Sequence, residues 1–187
     1  MPELIIFLGP MFGGKTTAML SALERYKYQQ RHVYAFKPRI DDRFSKDEIV
    51  SHMGWKISAT QISTGPELIR ELMLQVPDGE ISENSVVAVD ELFMIPNVAE
   101  ELIWLYKNNV TVVASTLDLS SACKPFDEVA QLLPWATKIK KCPAVCSVCQ
   151  RDAFYTWRKQ DTDEEILVGG VELYEPRCKM CHPRMMK

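Results

Sequence analysis

The segment GPMFGGKT, from Gly9 to Thr16, has residue types at a spacing that can hold phosphate groups. It fits the pattern G-x-x-x-x-G-K-[ST] between an apolar run and a predicted helix. Glycines let backbone N–H groups wrap phosphate oxygens, and the helix N-terminus adds partial positive charge. Lys15 is placed to reach the β- and γ-phosphates, and the Thr16 hydroxyl can ligate Mg²⁺. The predicted ATP-binding residues here are Gly9, Pro10, Met11, Phe12, Gly13, Gly14, Lys15 and Thr16.

Two carboxylates follow a second apolar run, SVVAV, at Asp90 and Glu91. A phosphate loop needs an acidic group at a neighbouring strand end to hold the metal, and Asp90 is the candidate for Mg²⁺ and its water. Glu91 would then point toward the attacking nucleophile as a general base. A merely solvated strand end is the competing interpretation, which the nearby phosphate loop disfavours.

Four cysteines form two C-x-x-C pairs separated by 28 residues. Two such pairs on a short segment predict a tetrahedral Zn²⁺ site, and a closed four-thiolate site is structural because no position is open to substrate. The predicted ligands are Cys146, Cys149, Cys178 and Cys181. His182 is an alternative fourth ligand, and a redox dithiol is the competing function.

Composition excludes several classes of protein. The 187 residues carry a formal charge of −3, which argues against a general nucleic-acid coat because phosphate contacts need clustered basic charge. No apolar run approaches the roughly 18 residues that span a bilayer, so no membrane partner is expected. The first apolar run has no positive leader, which favours a buried strand in a cytoplasmic protein with reduced thiols.

The elements that must position these residues alternate between short β-branched runs and longer helical stretches. This pattern predicts an α/β fold with a parallel sheet flanked by helices. Strands are expected at 4–8, 33–36, 85–92 and 110–115 and around Ile139, and helices at 15–29, 66–76 and 98–107, the last capped by Asn97. The polar stretch 39–64 is expected to be irregular and functional.

Composition changes near residue 142 and predicts two parts. Residues 1–141 form the predicted phosphate-loop domain that binds ATP, and residues 142–187 form a small zinc-ribbon-like module. This module of about 45 residues is too small to hold itself together by apolar burial alone.

The order of the motifs resembles the zinc-containing, type II thymidine kinase family. The resemblance rests on GPMFGGKT, on KPRIDDRFSKDEIVSHMG at 37–54, on VDE at 89–91, on LD and KPF within 117–126, and on VCSVC, VGGVELY and RCKMC. It implies transfer of the ATP γ-phosphate to the 5′-hydroxyl of thymidine or a related pyrimidine deoxynucleoside, giving dTMP and ADP. It also implies structural Zn²⁺, Mg²⁺ with ATP, and a cytoplasmic homotetramer.

The resemblance also assigns roles to single residues. Glu91 falls on the family's catalytic base, and Arg43 on an arginine that steadies the transferring phosphate, with Asp41 supporting it. The segment from Gly169 to Tyr174 matches a loop that closes over the nucleoside. The residues implied to bind the substrate are Met11, Asp41, Phe93, Met94, Leu117, Phe126, Val168, Gly169, Gly170, Val171 and Tyr174.

Departures from the family pattern fall in the base pocket. After Glu91 the family usually has a small residue, Gln and two Phe, whereas this chain has LFMI at 92–95. After Asp118 the family usually has an aromatic residue and then Arg or Gln, whereas this chain has Ser121 and Ala122. Deoxyuridine, a modified pyrimidine or relaxed specificity therefore stay open. A catalytically weak relative that acts as a nucleotide-binding regulator is the alternative function.

Overall fold

The computed structural model describes residues 1–41, 45–51, 53–160 and 166–185, apart from the side chain of Asp78. The strands are β1 Leu4–Leu8, β2 His32–Pro38, β3 Glu48–Val50, β4 Lys56–Ser58, β5 Thr60–Ile62, β6 Ser85–Val89, β7 Thr111–Thr116, β8 Lys138–Lys141, β9 Ala144–Val145, β10 Asp152–Ala153, β11 Tyr155–Arg158 and β12 Tyr174–Arg177. The α-helices are α1 Lys15–Tyr28, α2 Gly65–Gln75, α3 Val98–Lys107 and α4 Asp127–Leu132. Short 3₁₀ helices cover Pro77–Gly79, Leu92–Met94, Leu133–Trp135, Lys179–Cys181 and Pro183–Met185.

A six-stranded parallel sheet in the order β5-β2-β6-β7-β1-β8 forms the centre of the molecule. The α/β fold class and the parallel sheet flanked by helices are therefore confirmed. The carboxyl ends of β1, β2 and β6 lie at one edge of this sheet, where ligands bind in open α/β folds. The phosphate loop follows β1, and Asp90 and Glu91 follow β6, so the topology brings them together.

The core lies on both faces of the sheet because side chains alternate along each strand. In β1, Leu4, Ile6 and Leu8 pack on the face that α2, α3 and α4 cover. Ile5 and Phe7 pack on the face covered by α1. Burial on both faces explains the nearly uninterrupted apolar runs of β1 and β6.

Two predictions about this sheet were wrong in detail. The stretch 39–64 contains β3, β4 and β5 among its described residues, and β5 is a sixth strand beside β2. Strands of three residues are too short to show periodicity, which is why the sequence predicts none there. The run at 85–92 leaves the strand after Val89, because Glu91 has left-handed backbone angles and Leu92 begins a 3₁₀ helix.

The start of α3 also differs from the expectation. Asn97 precedes the helix, but its φ is 59° and its side chain forms no capping hydrogen bond. The carboxylate of Glu128, at the start of α4, instead accepts the backbone N–H groups of Asn97 at 2.6 Å and Ala99 at 2.8 Å. A distant carboxylate therefore satisfies helix donors that a local cap usually satisfies.

The region after β8 consists of two-stranded antiparallel ribbons, β9–β10 and β11–β12. Among the described residues of this region, the only helical segments are the 3₁₀ turns Lys179–Cys181 and Pro183–Met185. Across the described part of the chain, no helix has the length and apolar character that crossing a membrane requires.

Candidate active site

The phosphate loop connects the end of β1 to the first turn of α1. Gly14 adopts left-handed angles with φ at 73° immediately before the helix, which glycine does without a steric penalty. Gly13 is required by close approach, because a Cβ there would lie 2.6 Å from the carbonyl oxygen of Cys142. A Cβ on Gly9 would lie 2.2 Å from the same atom. The loop is therefore seated against the backbone that follows β8.

Lys15 is a buried cation at the start of α1. Its Nζ donates to the carbonyl oxygen of Pro10 at 2.7 Å, so the ammonium lies across the loop. Burial lowers the pKa of Lys15, while the carboxylates of Glu91, Asp90 and Asp118 oppose that shift. This position matches that of a lysine that neutralises phosphate charge.

Asp90 is the buried carboxylate beside Lys15 and Thr16. The Thr16 hydroxyl donates to it, with Oγ1 3.2 Å from Oδ2, and the hydroxyl of Ser115 on β7 donates to Oδ1. Burial, together with the negative charge of Glu91, raises the pKa of Asp90 to about 6, although the hydrogen bond from Ser115 opposes the shift. A hydroxyl and a carboxylate in contact are the oxygen donors that Mg²⁺ prefers.

Glu91 is positioned by an unusual backbone conformation. Its φ of 48° and ψ of 44° place it in the left-handed region, where a non-glycine residue is uncommon. Its N–H donates to Asp90 Oδ1 at 3.1 Å, and its carbonyl oxygen accepts from Met94 N at 3.0 Å. Backbone angles of this kind persist where the surroundings impose them, and they often mark functional sites.

A cavity of about 410 Å³ opens over the phosphate loop. Lys15, Thr16, Asp90 and Glu91 line it from the sheet side, and Asp41 and Lys37 line it from the end of β2. Its remaining walls come from the phosphate loop and the first turn of α1, from the β3 region and from the loop before β12. Those lining residues are Met11, Phe12, Gly14, Thr17, Ile49, Val50, Ser51, Gly169, Gly170, Val171 and Glu172.

A second, narrower and more apolar pocket adjoins this cavity. The rings of Phe93 and Phe126 form its aromatic wall, with centroids 4.6 Å apart and planes tilted by 40°. Met11, Glu91 and Gly169 line both spaces, so the two spaces meet there. The other residues on its wall are Met94, Leu117, Ser120, Ser121, Thr156, Ile166, Leu167 and Tyr174.

The loop before β12 closes one side of both spaces. The Tyr174 hydroxyl donates to the carbonyl oxygen of Leu167 at 2.7 Å, and the Tyr174 N–H donates to the carbonyl oxygen of Gly170 at 3.0 Å. Lys159, which follows β11, holds the same loop through Nζ, 2.7 Å from the carbonyl oxygen of Val171. These bonds keep Gly169 and Gly170 against the cavity.

Most of the predicted site residues come together in these two spaces. Val168 lies in the same loop, but it is not among the described residues that line either space. Gly9 and Gly13 act through their contact with Cys142, and Pro10 through its carbonyl oxygen. Arg43 lies outside the described residues.

Sequence reasoning did not predict several residues of the site. Lys37 is a buried cation at the end of β2, and its Nζ donates to the carbonyl oxygen of Ser45 at 2.6 Å. Its position beside the phosphate loop follows only from the pairing of β2 with β6. The lining residues Thr156 and Ile166, and Ser115, which donates to Asp90, were also not predicted, because single hydroxyl or aliphatic residues carry no motif of their own.

The four predicted zinc ligands form one cluster. The sulfur atoms of Cys146, Cys149, Cys178 and Cys181 all lie within 4.8 Å of one another, which fits a tetrahedral thiolate site that could hold zinc. The Arg151 Nε–H donates to the sulfur of Cys149 at 3.4 Å. This bond is the main cause that lowers the pKa of the Cys149 thiol to about 6, toward the thiolate that binds metal.

His182 lies next to this cluster with both ring nitrogens otherwise engaged. Its Nδ1 accepts the Arg184 N–H at 3.3 Å, and its Nε2 lies 3.4 Å from the carbonyl oxygen of Thr156. The Cys181 sulfur, rather than the His182 ring, therefore completes the group of four donors.

One comparison with known proteins bears on this site. The model of a protein family described as thymidine kinase matches residues 2–182, nearly the whole chain. The match spans the phosphate loop, the two carboxylates after β6 and the four cysteines together.

Proposed function

The chain belongs to the thymidine kinase family, and from this premise we propose that it transfers the γ-phosphate of ATP to the 5′-hydroxyl of a pyrimidine deoxynucleoside such as thymidine. The products would be dTMP and ADP. One observation carries the proposal: Glu91 lines both the charged cavity over the phosphate loop and the adjoining apolar pocket. A carboxylate at that junction lies between a site for phosphate groups and a site for a flat, largely apolar ring.

In the cavity, the side chain of Lys15 would leave the Pro10 carbonyl oxygen and neutralise charge on the β- and γ-phosphates. Thr16 and Asp90 would hold Mg²⁺, which when bound screens the phosphate charge that builds up during transfer. Because burial disfavours the ionised form of Asp90, a cation in this place would stabilise the carboxylate and lower its pKa.

In the pocket, Phe93 and Phe126 would pack against the base, with Tyr174 beside them. Main-chain groups of the loop around Gly169 and Gly170 would contact the polar edge of the base. Asp41 and Arg43 would support the phosphate groups in the cavity. Glu91 would accept the proton of the 5′-hydroxyl as the new P–O bond forms. This step needs the hydroxyl within about 3 Å of the carboxylate.

The resemblance to the family supports three further expectations. The four cysteines would bind one structural Zn²⁺, as their geometry allows. The chain would act in the cytoplasm, and it would assemble as a homotetramer. Elemental analysis of protein purified in reducing buffer should find about one zinc per chain.

The test of the activity is the release of ADP from Mg-ATP with and without each nucleoside. We expect release to require a pyrimidine deoxynucleoside and to stop when the acceptor is its 5′-deoxy analogue, which lacks the attacking hydroxyl. Thymidine, deoxyuridine and deoxycytidine should be compared in the same assay, because the residues at 92–95 and 121–122 differ from the family pattern. ADP release that is the same with no acceptor would contradict the proposal.

A further inference from the structure

The phosphate loop makes three contacts with the region that carries the four cysteines. The Met11 N–H donates to Oγ1 of Thr156, on β11, at 3.0 Å. The side chain of Phe12 packs against the apolar cluster that includes Cys146 and Cys178. The backbone of Cys142 lies close against Gly9 and Gly13 of the loop. The loop is therefore held from the cysteine side as well as by its own strand and helix.

The conformation of Phe12 indicates that these contacts impose the shape of the loop. Its φ of 65° lies in the left-handed region, which is unfavourable for a bulky side chain. Such a conformation persists where surrounding contacts determine it. Phe12 is partly buried among the cysteines, so the packing that holds it comes from the region around the metal-binding residues.

Thr156 is itself fixed from the cysteine side. It is 3% exposed and lies opposite Pro176 in the β11–β12 ribbon. The carbonyl oxygen of Pro176 accepts the Ser147 N–H at 3.0 Å, within the first cysteine pair. The Thr156 hydroxyl is thus placed by the same ribbon that brings the two cysteine pairs together.

We propose that Thr156 is a positioning residue for the phosphate loop. Through this residue, the folded cysteine region supports the loop conformation that binds the phosphates of ATP. The proposal rests on the function proposed above and names a further residue for it. A backbone N–H that is shielded from water needs an acceptor, and the Thr156 hydroxyl supplies one for the partly buried Met11 in the first half of the loop. With Met11 anchored, the second half, which contains Lys15 and Thr16, keeps the geometry that phosphate binding needs.

The test compares three variants by titrating Mg-ADP into the folded protein. Thr156→Val keeps the shape of the side chain but removes the acceptor, and Thr156→Ser keeps the acceptor. Thr137→Val is the matched control, because Thr137 Oγ1 accepts the Leu4 N–H at 3.0 Å at the opposite end of β1 from the phosphate loop. Circular dichroism and zinc content should establish that each variant is folded before its affinity is compared.

Thr156→Val should weaken Mg-ADP binding about tenfold, the loss expected for one partly buried backbone donor without its acceptor. Thr156→Ser and Thr137→Val should bind within about twofold of wild type, since each keeps the Met11 bond. In turnover, Thr156→Val should raise the KM for ATP much more than the KM for the nucleoside. Unchanged Mg-ADP affinity in folded Thr156→Val would overturn the proposal.

Hydrogen exchange of the wild-type protein tests the same link when a variant does not fold. After a chelator removes zinc, backbone amides at 9–16 should lose protection, while those of β6 should stay protected. If the amides at 9–16 keep their protection after zinc is removed, the proposed dependence of the phosphate loop on the cysteine region is contradicted. If wild-type protein binds no Mg-ADP at all, the proposed ATP site fails, and the exchange experiment still decides whether the loop depends on the cysteine region.

Discussion

The cavity over the phosphate loop and the apolar pocket beside it are built in different ways. The cavity takes its central polar and charged groups from one loop and one strand end: Lys15 and Thr16 are neighbours, as are Asp90 and Glu91. The pocket takes its wall from segments far apart in the chain, such as Phe93, Phe126 and Tyr174. Local backbone geometry therefore places the central groups of the cavity, whereas tertiary packing places the wall of the pocket.

This difference predicts which kinetic parameter each space controls. Charged groups fixed on a loop and a strand end can act on the reacting phosphate, where interactions gained in the transition state raise kcat. A wall of packed side chains holds the base equally well before and during transfer, so it sets KM and the choice of base. Substitutions in the two spaces should separate along these lines.

The largest effect is expected at Glu91, in the cavity. Glu91→Gln removes the proton acceptor but keeps the size of the side chain and a hydrogen-bonding group. Because general-base assistance typically contributes 10²–10⁴-fold, kcat should fall by about that factor, with little change in nucleoside affinity. Steady-state kinetics and direct nucleoside binding measure the two quantities. A variant that keeps wild-type kcat on its best substrate would remove Glu91 from the role of base.

Lys15→Ala should be nearly as severe. Loss of the cation that meets the β- and γ-phosphates should lower kcat by at least about 10²-fold, which corresponds to about 2.7 kcal/mol. Thermal unfolding should change little, because burial already disfavours the charged form of Lys15. Near-normal turnover would show that Lys15 does not act on the phosphates, and unfolding at a much lower temperature would show that it is structural.

The same division explains how much could be predicted from the sequence. The phosphate loop and Asp90 with Glu91 form contiguous motifs, and their chemistry follows from spacing alone. The edge strand β5, the Glu128 carboxylate at the start of α3 and the Thr156 bond to Met11 depend on residues 24 to 145 positions apart meeting in space. No local pattern encodes such meetings. The pocket wall was assigned through the resemblance to a family, and periodicity alone would not have found Phe126 beside Phe93.

A smaller effect is expected from pH, through Asp90. Burial raises its pKa from 3.8 to about 6, so the folded protein binds this proton more tightly than the unfolded chain does. The contribution of Asp90 to stability is therefore largest at acidic pH, and it is lost as pH rises from about 4 to about 6. Asp90→Asn should unfold at a higher temperature than wild type at pH 8, with a smaller difference at pH 4.

The same carboxyl group should limit activity on the acidic side. Only the ionised form can hold Mg²⁺, so kcat/KM should fall about tenfold for each pH unit below about 6. Measured at saturating Mg²⁺, the midpoint should move to lower pH, because the cation favours the carboxylate. If the midpoint of the acidic fall in kcat/KM does not move with Mg²⁺ concentration, this role is contradicted. An Asp90→Asn variant that unfolds at a lower temperature than wild type at pH 8 would also argue against it.

The smallest effect is expected in the pocket, at Phe93. Phe93→Leu keeps an apolar side chain but removes the ring whose centroid lies 4.6 Å from that of Phe126. Aromatic pairs contribute roughly 0.5–1.5 kcal/mol beyond their buried area, so the KM for thymidine should rise about two- to tenfold. Because the base is held alike in the ground state and the transition state, kcat should stay near that of wild type. Phe7→Leu, in the core beneath α1, is the matched control, which should lower the unfolding temperature without changing KM. If Phe93→Leu instead lowers kcat as strongly as it raises KM, the pocket wall takes part in the transfer step, and the separation between the two spaces does not hold.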